Sequence, residues 1–134
     1  MSLELEMVLR LLLATGLGAA VGYQRERAGK SAGLRTHILI CVGAALFTIA
    51  SIYGFGPAGD PARVAAGIVA GIGFIGAGAI IHYGAGDIVA GLTTAATIWV
   101  VAAIGMATGV GLYLVAGVTT AITLAILFSS HHIR

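Results

Sequence analysis

Charge is scarce in this chain. Only 9% of its 134 residues are Asp, Glu, Lys or Arg, while 59% are hydrophobic and mean hydropathy is +1.06. A soluble domain carries about 25% charged residues. A single short domain with so few polar groups cannot cover its own surface in water. Its solvent is therefore a bilayer, in which backbone groups must be satisfied internally. Acidic residues are scarcest: Glu4, Glu6, Glu26, Asp60 and Asp87 are the whole set. No Ser/His/Asp, Cys/His or paired-carboxylate arrangement is visible, and there is no P-loop, so the residues argue against an enzyme and call for no cofactor. The single cysteine, Cys41, lies in an apolar run and has no partner for an internal disulfide. The formal net charge of +2 is too small to point to nucleic acid. Glu4 and Glu6 stand where a signal peptide needs positive charge, so the N-terminus reads as part of the mature chain.

What the chain does have is apolar runs of spanning length. They predict an all-α membrane protein over residues 1–134, a five-span bundle with helices near 5–23, 36–53, 61–83, 92–107 and 111–128, the alternative being four spans with one half-length helix. A span needs about 20 residues. The segment 24–35 reads as a loop carrying Arg25, Arg27, Lys30 and Arg35, which the positive-inside rule places in the cytoplasm. The N-terminus is then outside and the C-terminus inside, with Arg134 on the basic side and Arg10 and Arg63 on the other. Tyr23, Tyr53, Tyr83 and Tyr113 fall near predicted helix ends, where interfacial tyrosines belong.

Glycine is abundant, at 21 residues. Gly71, Gly73 and Gly76 even spell G-x-G-x-x-G. That spacing signals a dinucleotide only between a strand and a helix, and here it lies inside an apolar run. In lipid, small residues let helix backbones touch. Gly67, Gly71 and Gly78 share a face of the third helix, with Gly73 and Gly76 on neighbouring faces, and Gly18 and Gly22 continue the pattern in the first. The third helix is accordingly expected at the centre of the bundle.

The chain also repeats itself. At an offset of 58, Ala32-Gly-Leu-Arg-Thr36 meets Ala90-Gly-Leu-Thr-Thr94, Gly18-Ala19 meets Gly76-Ala77, and Ala44-Ala45 meets Ala102-Ala103. This reads as a duplicated helix hairpin, helices one and two then three and four, in parallel orientation, with the fifth helix unpaired.

Several polar residues are candidates for a ligand or ion path. Asp60 precedes Pro61, the N-cap and N1 signature of a helix start, and Arg63 follows one turn later. Arg25, Glu26, Arg27 and Arg35, with Thr36, form an anion-attracting surface beside a helix start, or else serve topology with a Glu26–Arg35 ion pair. Thr93, Thr94 and Thr97 carry hydroxyls into the fourth helix, bonded to backbone or neighbours or lining a polar cavity. Asp60 and Asp87 lie on opposite membrane sides and cannot share an ion, so a hydrated magnesium near Asp60 is the only metal reading. His37, at the head of the second helix, reads as an interfacial packing residue, with titration as the alternative, and His82, His131 and His132 near the cytoplasmic edge lack further ligands.

Three blocks carry a family resemblance. Tyr23-Gln-Arg-Glu-Arg-Ala-Gly-Lys-Ser-Ala-Gly-Leu-Arg-Thr-His37, Asp60-Pro-Ala-Arg-Val-Ala-Ala66 with Gly71-Ile-Gly-Phe-Ile-Gly-Ala-Gly78, and Gly91-Leu-Thr-Thr-Ala-Ala-Thr-Ile-Trp99 occur in order. They resemble the MgtC/SapB family of bacterial membrane proteins. The resemblance implies an inner-membrane location, a link to growth in low magnesium and, in pathogens, to survival inside host cells. It also implies that some members restrain the F-type ATP synthase. Many members have a soluble domain after the last helix, which is not expected here. Two functions follow as expectations. One is a transporter-like or ligand-binding module, taking hydrated magnesium or an anionic ligand. The alternative is a non-transporting regulator that binds another membrane protein through its glycine faces. A homodimer is expected in either case. A polar cavity lined by Asp60 and the Thr93–Thr97 turn would favour the first, and a closed bundle with a small-residue outer face the second.

Overall fold

A computed structural model describes residues 2–83 and 88–129; of residues 82, 83 and 88–90 it describes the backbone alone. Asp87, His131, His132 and Arg134, and the side chains of His82 and Tyr83, lie outside the described residues. Those residues form five helices and no strand: α1 (Leu3–Arg27), α2 (Leu34–Tyr53), α3 (Pro61–Tyr83), α4 (Ile88–Val110) and α5 (Tyr113–Phe128). The first four are long and apolar enough to cross a membrane. The 16 residues of α5 rise only about 24 Å, short of a hydrocarbon core of about 30 Å.

The helix ends follow from local chemistry. Ser2 caps α1 by accepting from the Leu5 amide at 3.1 Å, and Glu4 and Glu6 lie against the positive end of the helix dipole. At the other end Gly29 takes φ +73°, and the Gly29 and Lys30 amides donate back to the Glu26 and Arg25 carbonyls. This turn needs a residue free to adopt the left-handed region. α4 ends the same way on Gly111, at φ +93°, with Gly111 and Leu112 donating to Thr108 and Ala107. These stops move two predicted boundaries. Residues 24–27 belong to α1 rather than to a loop, and α4 runs three residues past 107.

The centre of the bundle is α4, not α3. α4 packs against all four other helices, whereas α3 touches only α4 and α2. Small residues explain the difference. A Cβ on Gly109 would lie 2.8 Å from the Ala45 carbonyl oxygen, and one on Gly105 would strike the Cys41 carbonyl. On α1, a Cβ on Gly18 would meet Cys41 Cβ at 2.8 Å, and one on Gly22 would meet Leu34 Cα at 2.9 Å. So α1, α2 and α4 are in backbone contact. Gly67, Gly71 and Gly78 of α3 have nothing within 4 Å. Gly73 and Gly76 face Trp99 and Ala95 at ordinary distances of 3.6 and 3.5 Å. One core cluster is built of Ala14, Val21, Cys41, Ala45, Val101, Ile104, Ala116 and Leu127, and a second, of Ala32, Ala44, Ile72, Ile98 and Ala102, reaches α3; among the described residues neither contains Phe, Tyr or Trp.

The duplicated hairpin has a structural counterpart. Gly18 on α1 sits beneath the His37 carbonyl of α2, and Gly76 on α3 beneath the Ala95 carbonyl of α4. Both pairs are related by the offset of 58.

Candidate functional site

Two polar clusters interrupt the apolar bundle, one toward each end of α1. At the basic end, Arg25 is 2% exposed and His37 is fully buried. Arg25 is carried inward because α1 continues to Arg27. Its Nη2 donates to the Thr94 hydroxyl at 3.0 Å. His37 lies one turn into α2. Its Nδ1 is 2.8 Å from the Gly33 carbonyl oxygen, and its Nε2 is 2.9 Å from Thr97 Oγ1. The Thr97 hydroxyl also reaches the Thr94 carbonyl at 2.8 Å. Thr94 and Thr97, three apart on α4, share one face and meet α1 and α2 together. Glu26, next to Arg25, accepts from the Leu34 amide at 3.0 Å and so caps α2, whose N-cap residue Gly33 has no side chain to do it. Glu26 therefore caps a helix rather than pairing with Arg35.

At the other end Arg10 is 6% exposed. Its Nε donates to the Tyr113 hydroxyl at 2.9 Å, and its Nη1 to the Tyr53 hydroxyl at 3.1 Å and the Gly109 carbonyl at 2.8 Å. Glu6, one turn earlier, pairs with its Nη2. The guanidinium also lies 5.6 and 5.9 Å from the Tyr53 and Tyr113 ring centres. One side chain thus joins α1, α2, α4 and α5. The two arginines are about 22 Å apart along the helix axis.

The remaining candidates stay apart. Asp60 and Arg63 are exposed, 4.0 Å from each other. Asp60 Oδ1 accepts from the Ala62 amide at 3.1 Å, the bond of an N-cap. Arg27 and Arg35 are exposed and Thr36 and Thr93 half-buried; Arg27 lies over the Tyr23 ring at 5.9 Å. So Thr94, Thr97 and Arg25 are brought together, whereas Asp60 and Arg63 join no cavity with the threonines. Sequence reasoning missed His37 as a partner of Thr97, and missed Arg10. Arg10 had one available signal: an arginine inside an apolar span needs a partner, and two tyrosines end the neighbouring spans.

Neither cluster suits a bare divalent cation. Magnesium wants oxygen ligands, and each cluster is centred on a guanidinium. Among the described residues no three of His, Cys, Asp and Glu come together. An apolar groove of about 550 Å³ runs between α2 and α3, lined by residues such as Leu39, Gly43, Phe47, Gly67, Gly71 and Ile75.

The MgtC family model matches residues 11–134. The chain belongs to the MgtC family. It is 46% identical over 135 residues to the protein named putative magnesium transporter YhiD of Escherichia coli, covering 96% of this chain and 62% of that one. It is 43% identical over 115 residues to SapB of Bacillus subtilis, covering 81% and 49%. It is 46% identical over 110 residues to MgtC of Brucella abortus, covering 82% and 45%. The chain thus spans about half to two-thirds of the length of these curated relatives. No solved structure matches. As an MgtC-family chain built of apolar helices, it is a membrane protein.

Proposed function

We propose that this chain is a magnesium-linked protein of the bacterial inner membrane, with its basic end in the cytoplasm, and that it regulates another membrane protein rather than conducting magnesium. The observation carrying this reading is the unused glycine face of α3. A Cβ on Gly67, Gly71 or Gly78 would meet no neighbouring atom within 4 Å, while one on Gly18 or Gly22 of α1, or on Gly105 or Gly109 of α4, would strike another helix. In lipid, such faces serve helix–helix docking. The link to magnesium rests on family membership and on relatives such as the one named putative magnesium transporter. The argument against conduction is electrostatic. A buried arginine toward each end of α1 repels a divalent cation, and Asp60 faces outward at a helix start. The occupant proposed for the α3 face is a membrane subunit of the F-type ATP synthase.

Two measurements test this. Magnesium flux into proteoliposomes holding folded protein should be absent; flux that Asp60→Asn abolishes would make the chain a carrier. Photocrosslinking from Gly71 in bacterial membranes should label an ATP synthase membrane subunit. A crosslink to a second copy would instead make the face a homodimer interface, and labelling of lipid alone would overturn docking there.

A further inference from the structure

The basic-end cluster has a property independent of whether the chain conducts or docks. Its hydrogen atoms can be counted. A carbonyl oxygen only accepts, so His37 Nδ1, 2.8 Å from the Gly33 oxygen, carries a hydrogen. In the neutral ring Nε2 is then bare. Facing it at 2.9 Å is Thr97 Oγ1, which has a single hydrogen and two acceptors within reach: Nε2 and the Thr94 carbonyl at 2.8 Å. With a neutral ring the Thr97 hydroxyl turns toward Nε2. With a doubly protonated ring, Nε2–H donates to Thr97 Oγ1 and the hydroxyl turns to the Thr94 carbonyl. Both nitrogens are hydrogen-bonded in both states. A buried group bonded in only one of its protonation states is locked in that state. This one is not.

We propose that His37 is a proton-binding site inside the closed bundle, and that its proton sets the direction of the Thr97 hydroxyl and with it the polar tie between α2 and α4. The site has a built-in opposing charge. From α1 the group facing it is Arg25, whose guanidinium bonds the Thr94 hydroxyl. Glu26, also on α1, is held at the Leu34 amide. On α2 itself Arg35 is exposed, and Cys41 follows one turn later as a buried thiol. α4 contributes only the neutral hydroxyls of Thr94 and Thr97. A proton on His37 therefore sets two positive charges on either side of the Thr94–Thr97 turn. Repulsion between them loosens the Arg25–Thr94 bond, which joins α1 to α4. Protonation strengthens the α2–α4 tie and weakens the α1–α4 tie.

The test is histidine-ring ¹⁵N NMR on the full chain in lipid nanodiscs, with the His37 signal assigned by its loss in His37→Gln. Between pH 4 and 9 the ring should pass from one protonated nitrogen to two. In the neutral form the observed hydrogen should sit on Nδ1. Thr97→Val removes the hydroxyl that bonds Nε2 in both states, unequally in the neutral and charged ring, and should move the midpoint by about one pH unit or more. Thr97→Ser keeps the hydroxyl and should keep the midpoint. A ring that stays in one state across the range overturns the proposal, as does a Thr97→Val midpoint equal to that of the parent. The parent titration alone decides the first point, so the proposal stays exposed to refutation even if Thr97→Val fails to fold. A second readout is the single tryptophan, Trp99, two residues along α4 from Thr97 and facing Gly73 of α3. Its emission should change with pH at the His37 midpoint, and that change should vanish in His37→Gln.

Discussion

Gly105→Ala and Gly71→Ala make the same chemical change on two helices and should have opposite effects. Each replaces glycine in a helix interior by alanine, which favours the helix by about 0.8–1 kcal/mol. At Gly71 a Cβ meets nothing within 4 Å, so the propensity gain is all there is, and stability should rise by about that amount. At Gly105 the same Cβ strikes the Cys41 carbonyl, with the Cys41 carbonyl carbon at 3.0 Å and Ala44 Cβ at 3.1 Å. The obstruction is largely backbone, so no flexible side chain can swing aside. α2 and α4 must separate, and overpacking of this kind costs about 1–3 kcal/mol. Propensity cancels when the two variants are compared, so Gly105→Ala should be less stable than Gly71→Ala by about 1–3 kcal/mol. Equilibrium unfolding in mixed micelles, with SDS as denaturant and helicity as the signal, measures that difference. Equal stabilities would refute the placement of α4 at the centre of the bundle and of α3 at its edge. A reversed order would restore α3 as the central helix.

Other outcomes follow from the polar contacts. Arg10→Lys removes the planar fork that reaches Tyr53, Tyr113 and Gly109 at once, and should destabilise the fold by about 1–3 kcal/mol in the same unfolding assay. Glu26→Ala removes the cap that α1 supplies to α2, and should cost about 0.5–2 kcal/mol, with faster hydrogen exchange at the Leu34 amide as its local signature. Asp60→Asn keeps an N-cap acceptor and should leave stability unchanged, whereas Asp60→Ala should lose about 1 kcal/mol.

The parts of this architecture legible in the sequence are those that depend on near neighbours in the chain. Five apolar segments, the N-cap at Asp60 before Pro61, and the duplicated hairpin could all be read there, because hydropathy, capping and repetition are properties of consecutive residues. The extension of α1 through Arg25 was hidden by its charges, although Gly29 marks the stop. A charged stretch reads as a loop when its side chains are assumed to point into water.

Composition alone determined that this chain lives in a bilayer, since its few charges cannot cover a surface in water. Which glycines touch another helix was decided only by tertiary packing. A glycine on α3 and one on α4 are identical in sequence terms, and only the neighbour's position separates Gly105, pressed on Cys41, from Gly71, facing no atom within 4 Å. The partners of the buried charges were decided the same way. His37 and Thr97 are 60 residues apart, and Arg10 and Tyr113 are 103. Local pattern carries no information on such pairs, because it is the crossing of whole helices, set by where small residues let backbones approach, that brings them together.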